Sequence, residues 1–80
     1  MEALIDVVSV EPQKDDTLLL TFENGEKRRF DMKPLLEKKP FSKLNKSPLF
    51  MKATVNFGTV VWPGEIDIAP ETLWDQSQPV

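Results

Sequence analysis

The stretch that decides the reading of this chain is VVWPGEIDIAPETLW, Val60 to Trp74. It holds both tryptophans, two of the seven prolines and three carboxylates (Glu65, Asp67, Glu71), with no Lys or Arg. TVVW (59–62) reads as a strand, and Pro63-Gly64 breaks it. EIDI (65–68) alternates strictly, with Ile66 and Ile68 toward a core and Glu65 and Asp67 toward water. Pro70 suits the first position of a short helix, where its missing N–H costs nothing. Glu71 then faces the positive end of that helix, and Leu73 and Trp74 dock it. In a small domain without disulfides, two large aromatics this close together serve to close a core.

Working upstream, TVNF (54–57), Gly58 and TVVW form a hairpin with a tight turn. Ser47-Pro48 marks a helix start, a serine cap followed by proline, and LFMKA (49–53) continues it. PFSKLNK (40–46) is a loop or single turn anchored by Phe41 and Leu44. Pro34 opens a short helix that places Leu35 and Leu36 inward and that Pro40 limits. The N-terminal third is a three-stranded antiparallel meander. LIDVVSVEP (4–12) has Val8 and Val10 on one face and Ile5 and Val7 on the other. QKDD (13–16) is a turn. DTLLLTF (16–22) points Leu18, Leu20 and Phe22 inward. The Asn24-Gly25 pair turns the chain into KRRFDM (27–32), where Arg28 and Phe30 alternate with Lys27 and Arg29.

The sum is an α+β fold. It is a small, mostly antiparallel sheet, an N-terminal three-stranded meander plus a C-terminal hairpin, with short helices packed on one side. One domain spans residues 1–75, followed by a flexible tail at 76–80.

These elements carry sequence features shared with a known family. FENGEKRRFDMKPLL, PFSKLNKSPLF and VVWPGEIDIAPETLW resemble the short bacterial family called domain of unknown function 2442 (DUF2442). The resemblance rests on Asn24, Gly25, Glu26, Arg29, Phe30 and Asp31 in the hairpin. It rests also on Phe41, Leu44 and Phe50 in the middle. At the end it rests on Val60, Trp62, Gly64, Asp67, Ile68, Pro70, Glu71, Leu73 and Trp74. Trp74 stands where the family often has tyrosine. The resemblance implies a small α+β domain whose relatives occur alone, fused to a helix-turn-helix, or encoded beside another small protein in toxin–antitoxin-like pairs. Eighty residues leave no room for the helix-turn-helix.

Composition narrows the chemistry. The apolar share is 40%, enough for a folded core. There is no His, Cys or Tyr, so imidazole, thiol and phenol chemistry are absent. Serines 9, 42, 47 and 77 have no histidine to activate them. We therefore expect no enzyme and no cofactor. Glu65, Asp67 and Glu71 could gather around a hard divalent cation, since oxygen ligands suit Mg²⁺ or Ca²⁺. The structural alternative has Asp67 accepting N–H bonds from the helix it precedes, with no metal bound.

Charge is laid out in blocks. Residues 1–26 hold seven acids and one base, residues 27–52 nine bases and two acids, and residues 53–80 four acids and no base. The basic block is the candidate contact surface, with Lys27, Arg29, Lys38, Lys39, Lys43 and Lys46 as the residues available to a partner or to phosphate. Its alternative is a solvated face that only keeps the chain soluble. The expected function is a non-catalytic protein-interaction module, an antitoxin-like or partner member of a gene pair. The expected partner is a neighbouring gene's product or a second copy joined at a sheet edge, the first strand being the favoured edge. The alternative is an accessory nucleic-acid-binding or regulatory domain. No signal peptide or spanning segment is evident, so no membrane association and a cytoplasmic location are expected.

Overall fold

A computed structural model describes residues 5–80. It contains seven strands: β1 (Val7–Pro12), β2 (Thr17–Phe22), β3 (Lys27–Asp31), β4 (Thr54–Asn56), β5 (Thr59–Trp62), β6 (Ile66–Asp67) and β7 (Gln78–Pro79). Between β3 and β4 lie two 3-10 turns, Phe41–Leu44 and Pro48–Lys52, and the one α-helix among the described residues, α1, spans Pro70–Asp75. The strands form two antiparallel sheets, β1-β2-β3-β7 and β4-β5-β6. The C-terminal hairpin thus builds a sheet of its own instead of extending the meander. The fold is a mostly-β α+β arrangement.

The meander follows the alternation of β2. Leu18, Leu20 and Phe22 are buried, as are Phe30 and Met32 from β3 and its exit. β1 departs from simple alternation. Val7 pairs with Phe22, but Ser9 pairs with Thr21, so Val8 is an extra residue in a β-bulge. The bulge resets the parity of the strand. Val7 is fully buried and Val10 packs against the same core, while Val8 is 55% exposed.

Both meander turns use one geometry. Gln13 N–H donates to Thr17 O and Asp16 N–H to Gln13 O; Phe22 N–H donates to Glu26 O and Gly25 N–H to Phe22 O. In each the third loop residue is left-handed, Asp16 at φ +66° and Gly25 at φ +87°. Only the glycine of Asn24-Gly25 takes positive φ, which makes this a three-residue hairpin loop with its left-handed residue last. The Asn24 side chain instead accepts the Glu26 N–H at 3.0 Å.

The helix expected at Pro34 does not form. Leu35 and Leu36 N–H both donate to Met32 O and Lys38 N–H to Leu35 O, a run of single turns. Two prolines six residues apart leave too few donors for a helical ladder. Leu36 still reaches the core. The two later segments do form, as 3-10 turns, and Ser47 Oγ accepts the Leu49 N–H at 3.1 Å as the proline-started cap requires.

Trp62 is the hub between the 3-10 turns and the second sheet. Its indole N–H donates to Phe50 O at 3.0 Å, Phe50 stacks on it at 6.3 Å, and Phe41 meets it edge-on at 6.4 Å. Ile66, Ile68 and Leu73 are buried beside it. Thr59 Oγ1 donates to Ile68 O, and Ile68 N–H to Val60 O, tying β5 to the chain beyond β6.

Where a frayed tail is expected at 76–80, the chain is ordered by pairing. Ser77 is buried, β7 pairs with β3 (Arg29 with Gln78, Arg28 with Pro79), and Val80 N–H donates to Lys27 O.

The β4–β5 loop is Phe57-Gly58, with Asn56 opposite Thr59. Both loop residues have positive φ, +55° and +75°, the pattern of a type I′ turn. Glycine suits its position twice over, because a Cβ there would lie 2.6 Å from the Asp6 carboxyl carbon. Phenylalanine does not suit its own: it is bulky, left-handed and 91% exposed. Phe57→Asn should stabilise the monomer by about 0.5–1 kcal/mol, because asparagine tolerates this conformation. A urea titration at low protein concentration would measure it, and a loss of stability would contradict the turn assignment.

Candidate functional site

The stretch from Val60 to Trp74 resolves into a seam. Its apolar residues Val60, Trp62, Ile66, Ile68 and Leu73 are all buried. Its carboxylates Glu65, Asp67 and Glu71 are exposed and separate: Glu65 at a turn with φ +63°, Asp67 on β6, Glu71 in the first turn of α1. Among the described residues no three acidic side chains come together as a cation site. Asp67 does not cap α1 either. The cap residue is Ala69, which lacks a side-chain acceptor, and Asp67 is held in β6 opposite Val61.

The densest polar arrangement is centred on Arg28. Alternation along β3 turns this residue to the same face as Phe30, and its side chain is only 13% exposed. Every part of the guanidinium is engaged. Nε donates to Ser77 Oγ at 2.6 Å, Nη2 to Ser77 O at 2.8 Å and Nη1 to Glu26 Oε2 at 2.6 Å. Its Cζ lies over the Trp74 ring, 4.5 Å from the ring centre, and Phe22 meets the same ring edge-on at 5.0 Å. Ser77 Oγ in turn donates to Trp74 O. Arg28 is therefore a bolt between the meander and the C-terminal segment, and the planar fork is what makes one side chain serve three acceptors and a ring. Arg28→Met should cost about 2–3 kcal/mol and Arg28→Lys somewhat less, since each strands Ser77 and frees Trp74. Chemical denaturation would read the loss, and amide exchange should show Val80 and the β7–β3 pairing opening first.

The six nominated cations, Lys27, Arg29, Lys38, Lys39, Lys43 and Lys46, are all exposed. The ion pairs among the described residues are Arg28–Glu26 and Lys33–Asp31, so none of the six is in one. They do not share one face. Lys27 and Arg29 alternate with the half-buried Arg28 and the buried Phe30, so they lie on the outer surface of the meander beside Thr21 and Leu19. Lys38, Lys39, Lys43 and Lys46 lie on the connecting segment, whose Leu36 and Leu44 enter the core from the inner side. That segment is drawn tight: Ser42 N–H donates to Lys38 O and Lys43 N–H to Pro40 O. Four cations are thus presented within nine residues of folded chain.

A shallow cleft of about 200 Å³ separates this segment from the β1–β2 turn. It is lined by Leu44, Phe50 and Met51 together with Gln13, Lys14, Asp16, Lys46 and Ser47. The adjoining turn is fastened by Asp15, whose Oδ1 accepts from Thr17 Oγ1 at 2.6 Å, and by Lys33, whose Nζ donates to Asp15 O at 2.8 Å. The Thr17 hydroxyl, helped by the Lys33 charge, holds the Asp15 carboxyl below its ordinary range. A depressed folded-state value means the contribution is present at neutral pH and is lost as pH falls through the acid range. Thr17→Val should raise the Asp15 value measured by NMR titration, and an unchanged value would show that the hydroxyl does not govern it.

Among the described residues no buried side-chain polar atom lacks a partner. Among the described residues no helix is long and apolar enough to cross a membrane. The edge of β1, expected to be covered or paired surface, is covered within the chain. Val7 N–H donates to Gly58 O, β4 runs beside it, the Val8 bulge breaks the ladder, and Pro12 has no N–H. The sequence reading missed Phe57 and Met51, exposed apolar side chains at opposite ends of β1. The signal for Phe57 was present: two matched strand runs flanking Phe-Gly put the aromatic in the turn.

Fold and surface define a small mostly-β domain whose interior polar groups join its elements and whose lysines face solvent, while Arg28 is turned inward. Residues 7–79 match the family described as protein of unknown function (DUF2442), and the chain belongs to that family. No curated protein and no solved structure matches the chain.

Proposed function

We propose that this domain acts without catalysis, as a module that binds another protein through the lysines of the connecting segment. The observation that carries this reading is the division of its polar groups. Inside, Arg28, Ser77, Thr59 and Trp62 are committed to holding elements together. Outside, Lys38, Lys39, Lys43 and Lys46 are exposed and make no ion pair with any described residue. The partner that suits them is an acidic protein surface, and the family's toxin–antitoxin-like company suggests an adjacent gene's product as the first candidate. A cytoplasmic setting is part of this proposal.

Cation clusters of this kind steer association and set its salt dependence more than they fix its final affinity. Co-expression with the adjacent gene's product should give a complex at low ionic strength. Reversing all four lysines to glutamate should weaken it about tenfold or more, with thermal stability unchanged. A complex unaffected by the reversal would move the contact elsewhere, and failure to form one would remove this partner. Nucleic acid is the second reading, favoured by the same four cations. It predicts binding to a labelled duplex that falls steeply with salt. Retention of protein binding with no duplex binding at low salt would decide between them.

A further inference from the structure

We infer that Ser77 to Val80 form a displaceable latch. They occupy, from within the chain, a strand edge and an arginine fork on β3 that take an extended acidic segment of another protein in their place. This site lies apart from the lysines of the connecting segment and rests on different observations.

The first is how Arg28 is used. Its Nε donates to Ser77 Oγ at 2.6 Å and its Nη2 to Ser77 O at 2.8 Å. Two oxygens of one residue thus meet the Nε–Nη2 edge of the guanidinium, whose parallel N–H groups match a carboxylate. Both acceptors here are neutral. A carboxylate in the same place forms two charge-assisted bonds instead, which are shorter and stronger. Ser77 therefore stands where an aspartate or glutamate fits.

The second is that the fork keeps its aim without the latch. Nη1 is held by Glu26 Oε2 at 2.6 Å, and Cζ lies 4.5 Å from the centre of the Trp74 ring. Neither contact involves residues 77–80. Trp74 belongs to α1, which has its own anchors: Leu73 is buried in the core, and Phe22 meets Trp74 at 5.0 Å. β3 is likewise paired with β2 along its whole length, Lys27 to Asp31. Peeling away 77–80 removes none of these supports.

The third is how little else holds the latch. β7 spans 2 residues, against 5 in β3. Gln78 and Pro79 are exposed and Val80 is 69% exposed, so the buried residue of the latch is Ser77. Pro79 brings no N–H to the edge. Beyond the strand pairing, Val80 N–H donates to Lys27 O and Ser77 Oγ to Trp74 O. A short strand with no buried apolar side chain belongs to the low end of local stability.

The fourth is what replaces it. With the latch open, two donors of a half-buried cation lack acceptors, so opening is unfavourable unless another group takes them. The uncovered edge of β3 offers backbone groups to an extended strand. Lys27 and Arg29 flank Arg28 in sequence, exposed and in no ion pair among the described residues. The acids on this part of the chain are Glu26, which engages only Nη1, Asp31, 3.8 Å from Lys33, and Asp75, exposed at the end of α1. None of them reaches the Nε–Nη2 edge. A strand bearing a carboxylate satisfies both the edge and the fork, and a neutral strand or a free anion satisfies only one of them.

Ser77→Asp and Ser77→Asn in the full chain compare a carboxylate with its neutral isostere at the fork. At neutral pH the Val80 amide should be protected from exchange about tenfold or more better in Ser77→Asp, and the difference should vanish as pH falls through the carboxyl range. Equal protection in the two would overturn the fork assignment. Displacement is tested with a blocked peptide copying residues 76–80 with Ser77→Asp. It is titrated into the full chain at low salt to ~10 mM, because the tethered latch competes at an effective concentration in the millimolar range. The peptide should shift the Arg28 Nε–H resonance and lower Val80 protection about tenfold or more; its Ser77→Asn counterpart should do neither. Arg29→Cys with Gln78→Cys places a disulfide at directly paired positions and pins the latch. Oxidation should abolish the response to the peptide and reduction restore it, with the connecting-segment lysines identical in both forms. A response that survives oxidation, a peptide that leaves Val80 protected, or inorganic phosphate that opens the latch as far as the peptide does would each overturn the inference.

Discussion

The guanidinium of Arg28 is the constraint from which the rest of the architecture follows. A cation facing inward from the middle strand of a small sheet must find acceptors, or it destabilises everything around it. Glu26, two residues earlier on the same chain, supplies one. The others come from Ser77, 49 residues away, and can be reached only if the C-terminal segment returns to β3. That return places Trp74 over the guanidinium plane and against Phe22, and it lays β7 along the edge of β3. One half-buried charge thereby ties down the last helix and the chain end and covers one edge of the first sheet. The arrangement succeeds because the donors of arginine are rigidly coplanar; a lysine could satisfy any single acceptor but not the set.

In the second sheet, Trp62 plays a complementary part. Its indole satisfies a carbonyl of the second 3-10 turn while its faces are packed by Phe50 and Phe41. The segment between the two sheets has no helical ladder of its own, so it depends on these aromatic contacts and on Leu36 and Leu44 for its place. Because its backbone is tied down in short turns, the lysines along it project from a defined surface. The same economy holds in the interior, where among the described residues no buried side-chain polar atom lacks a partner. Its polar groups are spent on joining elements, and what the protein presents to other molecules is its exterior: a cationic segment, a shallow apolar cleft and a strained aromatic tip.

Much of this was legible in the residues. The alternation of Leu18, Leu20 and Phe22, the Asn-Gly turn, the Ser47-Pro48 cap, the Ile66/Ile68 pattern and the helix opened by Pro70 are local signals, and each appears where its chemistry places it. The failures have identifiable physical causes. The helix after Pro34 lost to the donor shortage imposed by two prolines. The faces of β1 were misassigned because a bulge at Val8 resets a period of two, and nothing in VVSV announces it. The basic residues read as one block because they are contiguous in sequence, yet strand alternation sends Lys27 and Arg29 to one side of the sheet and the connecting segment lies on the other.

What the sequence determined by itself was the set of local elements, the absence of imidazole, thiol and phenol groups, and the family to which the chain belongs. These depend on residue type and short spacing, which a linear string records in full. What only the tertiary structure decided was that Arg28 is a structural bolt, that the final residues complete a sheet, that the strands divide into two sheets, and that Phe57 is left outside. Each is a long-range choice among competing partners. It is settled by which burial and hydrogen-bond pairings can be satisfied together in three dimensions, and no window of neighbouring residues contains that information.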